Sequence, residues 1–437
     1  MVRLGMPVFA GLALSVAACH VGGGYTVGGS VTGLRGSGLV LQNNSGNNLS
    51  ISANGSFTFS SGIDQGGAYS VTVATQPSNP TQSCVVHNGS GTIGTANIAN
   101  VVVSCSQAGR FAYVPNETSN TINAYAINAS TGALTAIADY ASTGTTPVAA
   151  VVDPDGTYLY VANNGSNTVS VYAIDDSSGA LSGVGEPVGA GNGPFAILVD
   201  PANEFLYVAN KTDDTVSVYS ISSGQLTEIS GSPFAVGDEP TSLKTDPGGN
   251  FLYVTDYAAN AVAAFSIEPG GGALAAIGGS PFGAGAGALS IAIDPAGTFA
   301  YVANETGHSV SMYSLNPSTG ALAALSGSPL ATDTSAESVA IDPAGRFLFV
   351  ANVTAGNDVS SYSITPASGA LTLASSAGAG TFPLNVVIDP AGSFAYVANE
   401  TSNTVSVYAI NSTTGALSQV AGSPFAAGTN PRAVAID

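Results

Sequence analysis

Charged residues make up only 8 % of this 437-residue chain, and tryptophan is absent. Seven Lys and Arg stand against 27 Asp and Glu. A net charge of −20 repels nucleic acid and anionic membrane surfaces, so neither is expected as a direct partner. Histidine occurs three times, at His20, His87 and His308, and cysteine three times, at Cys19, Cys84 and Cys105. They form no cluster in the sequence, so no zinc site and no cofactor is expected. No Gly-x-Ser-x-Gly is present, which removes the usual serine-hydrolase elbow. Glycine-rich stretches such as Gly283 to Gly287 join strand to strand, so they are not phosphate loops.

Small and apolar residues fill the space left by charge. The chain holds 55 glycines and is 45 % hydrophobic. That composition suits many short strands joined by tight turns and argues against helical bundles or disorder. Asp64 is the only acidic residue before Gln107, so nearly all of the negative charge lies on the later part of the chain.

Residues 1–18 carry one cation, Arg3, ahead of a short apolar run. The run falls short of the ~20 apolar residues of a membrane span and reads as a signal peptide. It ends in Val16-Ala17-Ala18-Cys19, which resembles a bacterial lipobox with Cys19 as the lipidated residue. Residues 19–24 then form a lipid-bearing tether. By resemblance to lipoprotein sorting, His20 points to the outer membrane of the cell envelope. Cys84 and Cys105 remain as an even pair in an exported protein, and a disulfide between them is expected.

Residues 25–106 contain seven short alternating runs punctuated by Gly and Asn. They are expected to form a small antiparallel sandwich, immunoglobulin-like or transthyretin-like. Nothing in it looks catalytic. His87 reads as an exposed turn residue, and the unit as a spacer.

From Gln107 onward one unit recurs. A word typified by Phe394-Ala395-Tyr396-Val397-Ala398-Asn399 starts at Phe111, Tyr158, Phe205, Phe251, Phe299, Phe347 and Phe394, at intervals of 46 to 48 residues. Such a period marks one supersecondary unit per repeat. Each unit reads as four strands. The first runs into Asp-Pro-x-Gly, as at Asp294-Pro295-Ala296-Gly297, which is type I turn chemistry. The second is the Phe-x-Tyr-Val-Ala-Asn word. The third is typified by Thr404-Val405-Ser406-Val407-Tyr408, and a short fourth begins Ala-Leu. The fold expected is all-β, with a seven-bladed β-propeller of four-stranded blades over residues 107–437. The array begins with a second strand at Phe111 and ends with a first strand at Arg432 to Asp437, so residues 430–437 are expected to complete blade 1 and close the ring.

The Tyr-Val-Ala-Asn and Thr-Val-Ser-Val-Tyr words resemble two related groups. One is the Tyr-Val-Thr-Asn repeat propellers of microbial surface proteins. The other is the lactonase-type propellers, among them 6-phosphogluconolactonase. The resemblance implies the fold, and a ligand face where the second-to-third and fourth-to-first connections meet. It carries no catalytic set onto this chain residue by residue.

Candidate chemistry lies where the repeats disagree. Five residues before the turn aspartate, the first strands carry Val148, Phe195, Thr241, Leu289, Glu337, Leu384 and Arg432. Glu337 and Arg432 flank the blade of Leu384 and could hold a ligand, or form an ion pair. Lys244 stands alone among apolar equivalents and either enters the channel or pairs with an acid. His308 and Lys211 lie in polar turns on the same face. Six second strands end in Asn and the seventh in Asp256, and these residues are expected to bond local backbone. Two functions follow. The main one is a lipid-anchored scaffold whose propeller binds a small molecule, a glycan or a protein. The alternative is a lactonase at the channel mouth using Arg432, Lys244, His308 and Glu337.

Overall fold

The computed structural model describes residues 24–78, 82–106, 110–137, 141–332, 334–353 and 356–437. The expected signal segment and lipidated Cys19 lie outside them. So does Gln107-Ala108-Gly109.

Turn and strand words of the repeat build seven antiparallel sheets. Blade 5 shows the pattern: Ala288–Ile293, Phe299–Asn304, Ser309–Leu315 and Leu322–Ala324 pair in that order. A fifth piece, Leu330–Ala331, pairs with the start of the third strand, so the outer strand is split in two. The segment Gly327-Ser328-Pro329 lies at the break. In blade 6 alone the outer strand runs unbroken, over Leu371–Gly378 with one bulge.

The second strand is buried on both faces because blades pack against either side of it. In four blades its tyrosine reaches the next blade, as where Tyr396 donates to Gly132 O and Tyr301 to Gly369 O. The third-strand tyrosine reaches back, with Tyr408 on Gly378 O and Tyr313 on Gly283 O. The Thr-Gly turn fits beneath a neighbouring ring. Gly415 has φ +72°, and a Cβ there would come within 2.4 Å of the Phe347 ring. Only glycine meets both demands. The asparagines ending the second strands bond mainly to hydroxyls and not, as expected, to backbone. Asn399 Nδ2 donates to Thr404 Oγ1 (3.1 Å) and Ser406 Oγ (2.9 Å), because the Thr-Val-Ser word sets two hydroxyls opposite it.

The ring closes through its two ends. Ala435–Ile436 pairs with Phe111–Asn116 as the innermost strand of blade 1. Asp437 Oδ1 accepts from Arg110 N (2.7 Å) and Phe111 N (2.8 Å). Asp294 makes the same two bonds to Thr298 N and Phe299 N inside one continuous turn. Asp437 is therefore the turn aspartate of a turn whose halves lie at opposite ends of the repeat array.

Residues 27–106 form two four-stranded sheets that share one core, including Val27, Leu39, Leu41, Phe59, Val101 and Val103. An eighth strand, Ser90–Thr92, joins the seven expected. The expected antiparallel order fails at one place: Val27–Thr32 and Ile98–Ser106 pair in parallel. The strands between them form the crossover that parallel neighbours require. Cys84 and Cys105 face each other in adjacent strands, with Cα atoms 3.9 Å apart, and are joined by a disulfide.

These sheets reach the Asp-Pro-x-Gly side of the ring. Arg35 Nε donates to Pro154 O in blade 2 (3.3 Å), and Asn88 Nδ2 to Ala296 O in blade 5 (3.0 Å). Blades 2 and 5 lie across the ring from one another, so these contacts straddle its axis. His87 is half-buried here, not exposed as its turn sequence suggested. Burial pushes its pKa down, against the pull of Asp342.

Candidate functional site at the open mouth of the channel

Seven first strands line a central channel of about 530 Å³. With the turn side met by the amino-terminal sheets, the other end is the open mouth. One device repeats there. In six blades the residue after the last of the second strand, an asparagine or in blade 4 Asp256, is tied by its N–H to the loop entering the first strand of its own blade, as in Glu117 to Asn430 O (2.8 Å), Glu305 to Gly287 O (2.8 Å) and Glu400 to Phe382 O (2.9 Å). The second-to-third turn is thus folded inward, and the side chain that follows the end of the strand stands on the rim. Those six positions carry Glu117, Asn164, Lys211, Tyr257, Glu305 and Glu400, while in blade 6 the equivalent Val353 continues the second strand.

Arg432 joins this ring from its first strand. Its guanidinium sits between two carboxylates, with Nε 3.4 Å from Glu117 Oε2 and Nη1 3.1 Å from Glu400 Oε1. Glu337, two blades back from Arg432, is buried with 7 % of its surface exposed. Its carboxylate has no hydrogen-bond partner among the described residues. Burial pushes its pKa up to about 7, repulsion by Glu305 and Glu400 acts in the same direction, and attraction by Arg432 opposes both. A carboxyl in this state takes or gives a proton near neutral pH.

Tyr257 extends the arc. Its hydroxyl donates to Glu305 Oε2 at 2.7 Å, and that bond with burial pushes the phenol up to about 12. Lys211 Nζ lies 3.3 Å from Glu239 Oε2, and over the rings of Phe195 and Tyr257 at 5.1 and 5.0 Å. The mouth therefore holds a half-buried arginine, a buried carboxyl titrating near neutrality, and a ring of further carboxylates. Such a set can hold a water molecule beside a carboxylate base and present a cation to developing negative charge.

The candidate residues do not share one depth in the channel. Glu337 and Arg432 face the same mouth. Lys244 lies three residues further along its strand than Thr241, the counterpart of Glu337 in blade 4, so roughly 10 Å deeper in the channel. Protein surrounds its ammonium while channel water reaches it, and burial pulls its pKa down. His308 is a turn residue with φ +45°. It occupies the left-handed place held by Asn120, Asn167 and Asn260 in other blades, whose side chains accept from Thr146 N, Gly193 N and Gly287 N. Its ring instead lies 3.4 Å from Ser335 Oγ, at the start of the strand that carries Glu337. Glu117, Glu305, Glu400 and Tyr257 were missed by the sequence reading. The signal that finds them is their fixed place directly after the residue that ends the second strand, an asparagine or in blade 4 Asp256.

Comparison with known proteins agrees with this architecture. The family described as lactonase, 7-bladed beta-propeller matches residues 68–195, 186–287 and 243–435. A proposed 6-phosphogluconolactonase of Bacteroides uniformis superposes with a TM-score of 0.68 at 22 % identity, covering 76 % of this chain and 100 % of that one. A proposed 6-phosphogluconolactonase of Bacteroides fragilis gives 0.67 at 21 %, covering 76 % and 98 %. The periplasmic gluconolactonase PpgL of Pseudomonas aeruginosa gives 0.67 at 22 %, covering 75 % and 98 %. A search of curated proteins finds no match. The chain belongs to the lactonase family of seven-bladed β-propellers.

Proposed function

We propose that the channel mouth hydrolyses a lactone. The observation that carries this reading is Glu337, a buried carboxyl with a pKa raised to about 7, placed at the same mouth as the Arg432 guanidinium in a lactonase-family propeller. Deprotonated Glu337 takes the proton of an attacking water. The water oxygen adds to the lactone carbonyl, and Arg432 stabilises the oxyanion. The tetrahedral intermediate then expels the ring alkoxide, which receives the proton from Glu337, giving a hydroxy acid. Family membership favours this reading over the binding or surface-scaffold role expected from the dominance of structural residues in the repeats.

A neutral sugar lactone fits the mouth better than a phosphorylated one. Glu117, Glu305, Glu337 and Glu400 outnumber Arg432, and Lys211 is already engaged by Glu239. A gluconolactonase is among the similar structures, as is a proposed 6-phosphogluconolactonase. On charge grounds the former chemistry is the one we assign. The disulfide and the signal-like segment support an extracytoplasmic site of action, with lipid on Cys19 as the anchor.

The test is a panel of neutral and phosphorylated lactones assayed with the mature protein, corrected for spontaneous hydrolysis. Turnover of a neutral lactone that falls at least 100-fold in Glu337→Gln and in Arg432→Met supports the assignment. Unchanged turnover in both variants rejects the site. No turnover of any lactone rejects the function.

A further inference from the structure

The rim position of blade 4 differs from the rest. Its equivalents are Glu117, Asn164, Lys211, Glu305 and Glu400, and Tyr257 is the one aromatic among them. This residue is held from several sides. Its N–H bonds Glu239 O (3.2 Å), and Lys211 Nζ lies over its ring at 5.0 Å while pairing with Glu239 Oε2 at 3.3 Å. Towards blade 5 the ring rests by Gly287, where φ is +68° and a Cβ would stand 3.3 Å from Tyr257 Cε2.

The turn that begins at Tyr257 grips blade 5 at two points. Asn260 Oδ1 accepts from Gly287 N (2.6 Å), and Gly287 O accepts from Glu305 N (2.8 Å). The Tyr257 hydroxyl then donates to Glu305 Oε2 (2.7 Å). It is the only partner of the Glu305 carboxylate among the described residues. Backbone and side chain of Glu305 are thus both fixed from blade 4.

The charge of Glu305 reaches Glu337 from blade 5, while Glu400 and Arg432 reach it from blades 7 and 1. Beyond Arg432 stands Glu117, and beyond Tyr257 stand Lys211 and Glu239. His308 touches Ser335 Oγ, two residues before Glu337. With no hydrogen bond to the Glu337 carboxylate, burial and these charges set when it holds a proton. A half-buried Glu305 freed to swing into water would be screened from it.

We propose that Tyr257 is a positioning residue for the Glu337 base: its hydroxyl pins the Glu305 carboxylate beside Glu337, and Lys211 and Gly287 hold the ring that does so. Repulsion by the pinned carboxylate raises the pH at which Glu337 gives up its proton. The Glu305 bond and burial push the phenol up to about 12, so the hydroxyl stays a donor where Glu337 titrates. The role of Glu337 as a base rests on the hydrolytic reading, but the coupling is readable without turnover.

Carbon-13 NMR of the mature protein labelled at glutamate carboxyls tests it, with the Glu337 line assigned by its loss in Glu337→Gln. The pH profile of neutral lactone hydrolysis is recorded beside it. Tyr257→Phe and Glu305→Gln are each expected to move the Glu337 midpoint to lower pH, the latter by about 0.5–1 unit. Tyr257→Phe added to Glu305→Gln is expected to move it no further. Arg346→Met, at an outer turn, is expected to leave it in place. A tyrosine with a merely structural role changes the rate and not the midpoint. An unmoved or raised midpoint in Tyr257→Phe therefore overturns the proposal, and so does a further fall when Glu305 is already replaced. A lowered midpoint in a protein that hydrolyses no lactone supports the pinning and rejects the hydrolytic reading. An unmoved midpoint in a protein that does hydrolyse one rejects the pinning alone.

Discussion

Replacing Asp437 by alanine tests how the ring is closed. The carboxylate accepts from Arg110 N and Phe111 N and pairs with the Arg110 guanidinium at 3.0 Å, while its own side chain is fully buried. Alanine leaves two peptide N–H groups without an acceptor. A buried donor left unpaired costs about 1–3 kcal/mol. The Phe111 N–H is buried and the Arg110 N–H is partly so, which puts the loss at about 2–4 kcal/mol. The Arg110 guanidinium adds little, because it keeps Asp176 at 2.6 Å on the exposed side. With an unfolding entropy of about 2 cal/mol/K per residue over a ring of some 330 residues, the loss lowers Tm by roughly 3–6 °C. Asp294→Ala is the control. It removes the same two bonds from a turn whose chain is continuous. Both variants should lose similar stability by calorimetry. Only Asp437→Ala should also speed amide exchange along Phe111–Asn116, where the closing strand pairs. Wild-type Tm in Asp437→Ala would refute the closure argument.

Other outcomes follow from the same geometry. The Glu337 pKa is raised in the folded protein, so its ionisation opposes folding. The stability it allows is complete below pH ~4.5 and is lost as pH rises through about 7. Glu337→Gln should therefore melt higher than wild type at pH 8.5 and much like it at pH 5. Arg432 holds the Glu337 pKa down, so Arg432→Met should shift the acid limb of any activity profile to higher pH. Replacing Cys84 and Cys105 by serine opens a loop with a sequence separation of 21 and should cost the amino-terminal sheets about 3 kcal/mol, read by proteolysis of that part.

Much of the ring was legible because its repeats are local. Asp-Pro-x-Gly specifies a turn, the alternating words specify strands, and the offset between the two ends of the array specifies closure. The site was legible in part. Glu337 and Arg432 stand out because a charge at a first-strand position breaks an otherwise uncharged column. Glu117, Glu305 and Glu400 do not stand out, because acids in polar turns look solvated until the turn is known to fold onto the rim. His308 drew notice as the one histidine of the ring. Its register shows a left-handed turn position where other blades place Asn or Asp. The parallel pairing of Val27–Thr32 with Ile98–Ser106 joins strands some 70 residues apart, and alternation within a strand carries no record of such a partner.

The central claim is that Glu337 acts as the base at the channel mouth. Its most direct test is the rate of neutral lactone hydrolysis by wild type and Glu337→Gln between pH 5 and 9. The wild-type rate should rise through an apparent pKa near 7, and Glu337→Gln should be at least 100-fold slower with that limb absent. A variant that keeps both the rate and the limb would contradict it.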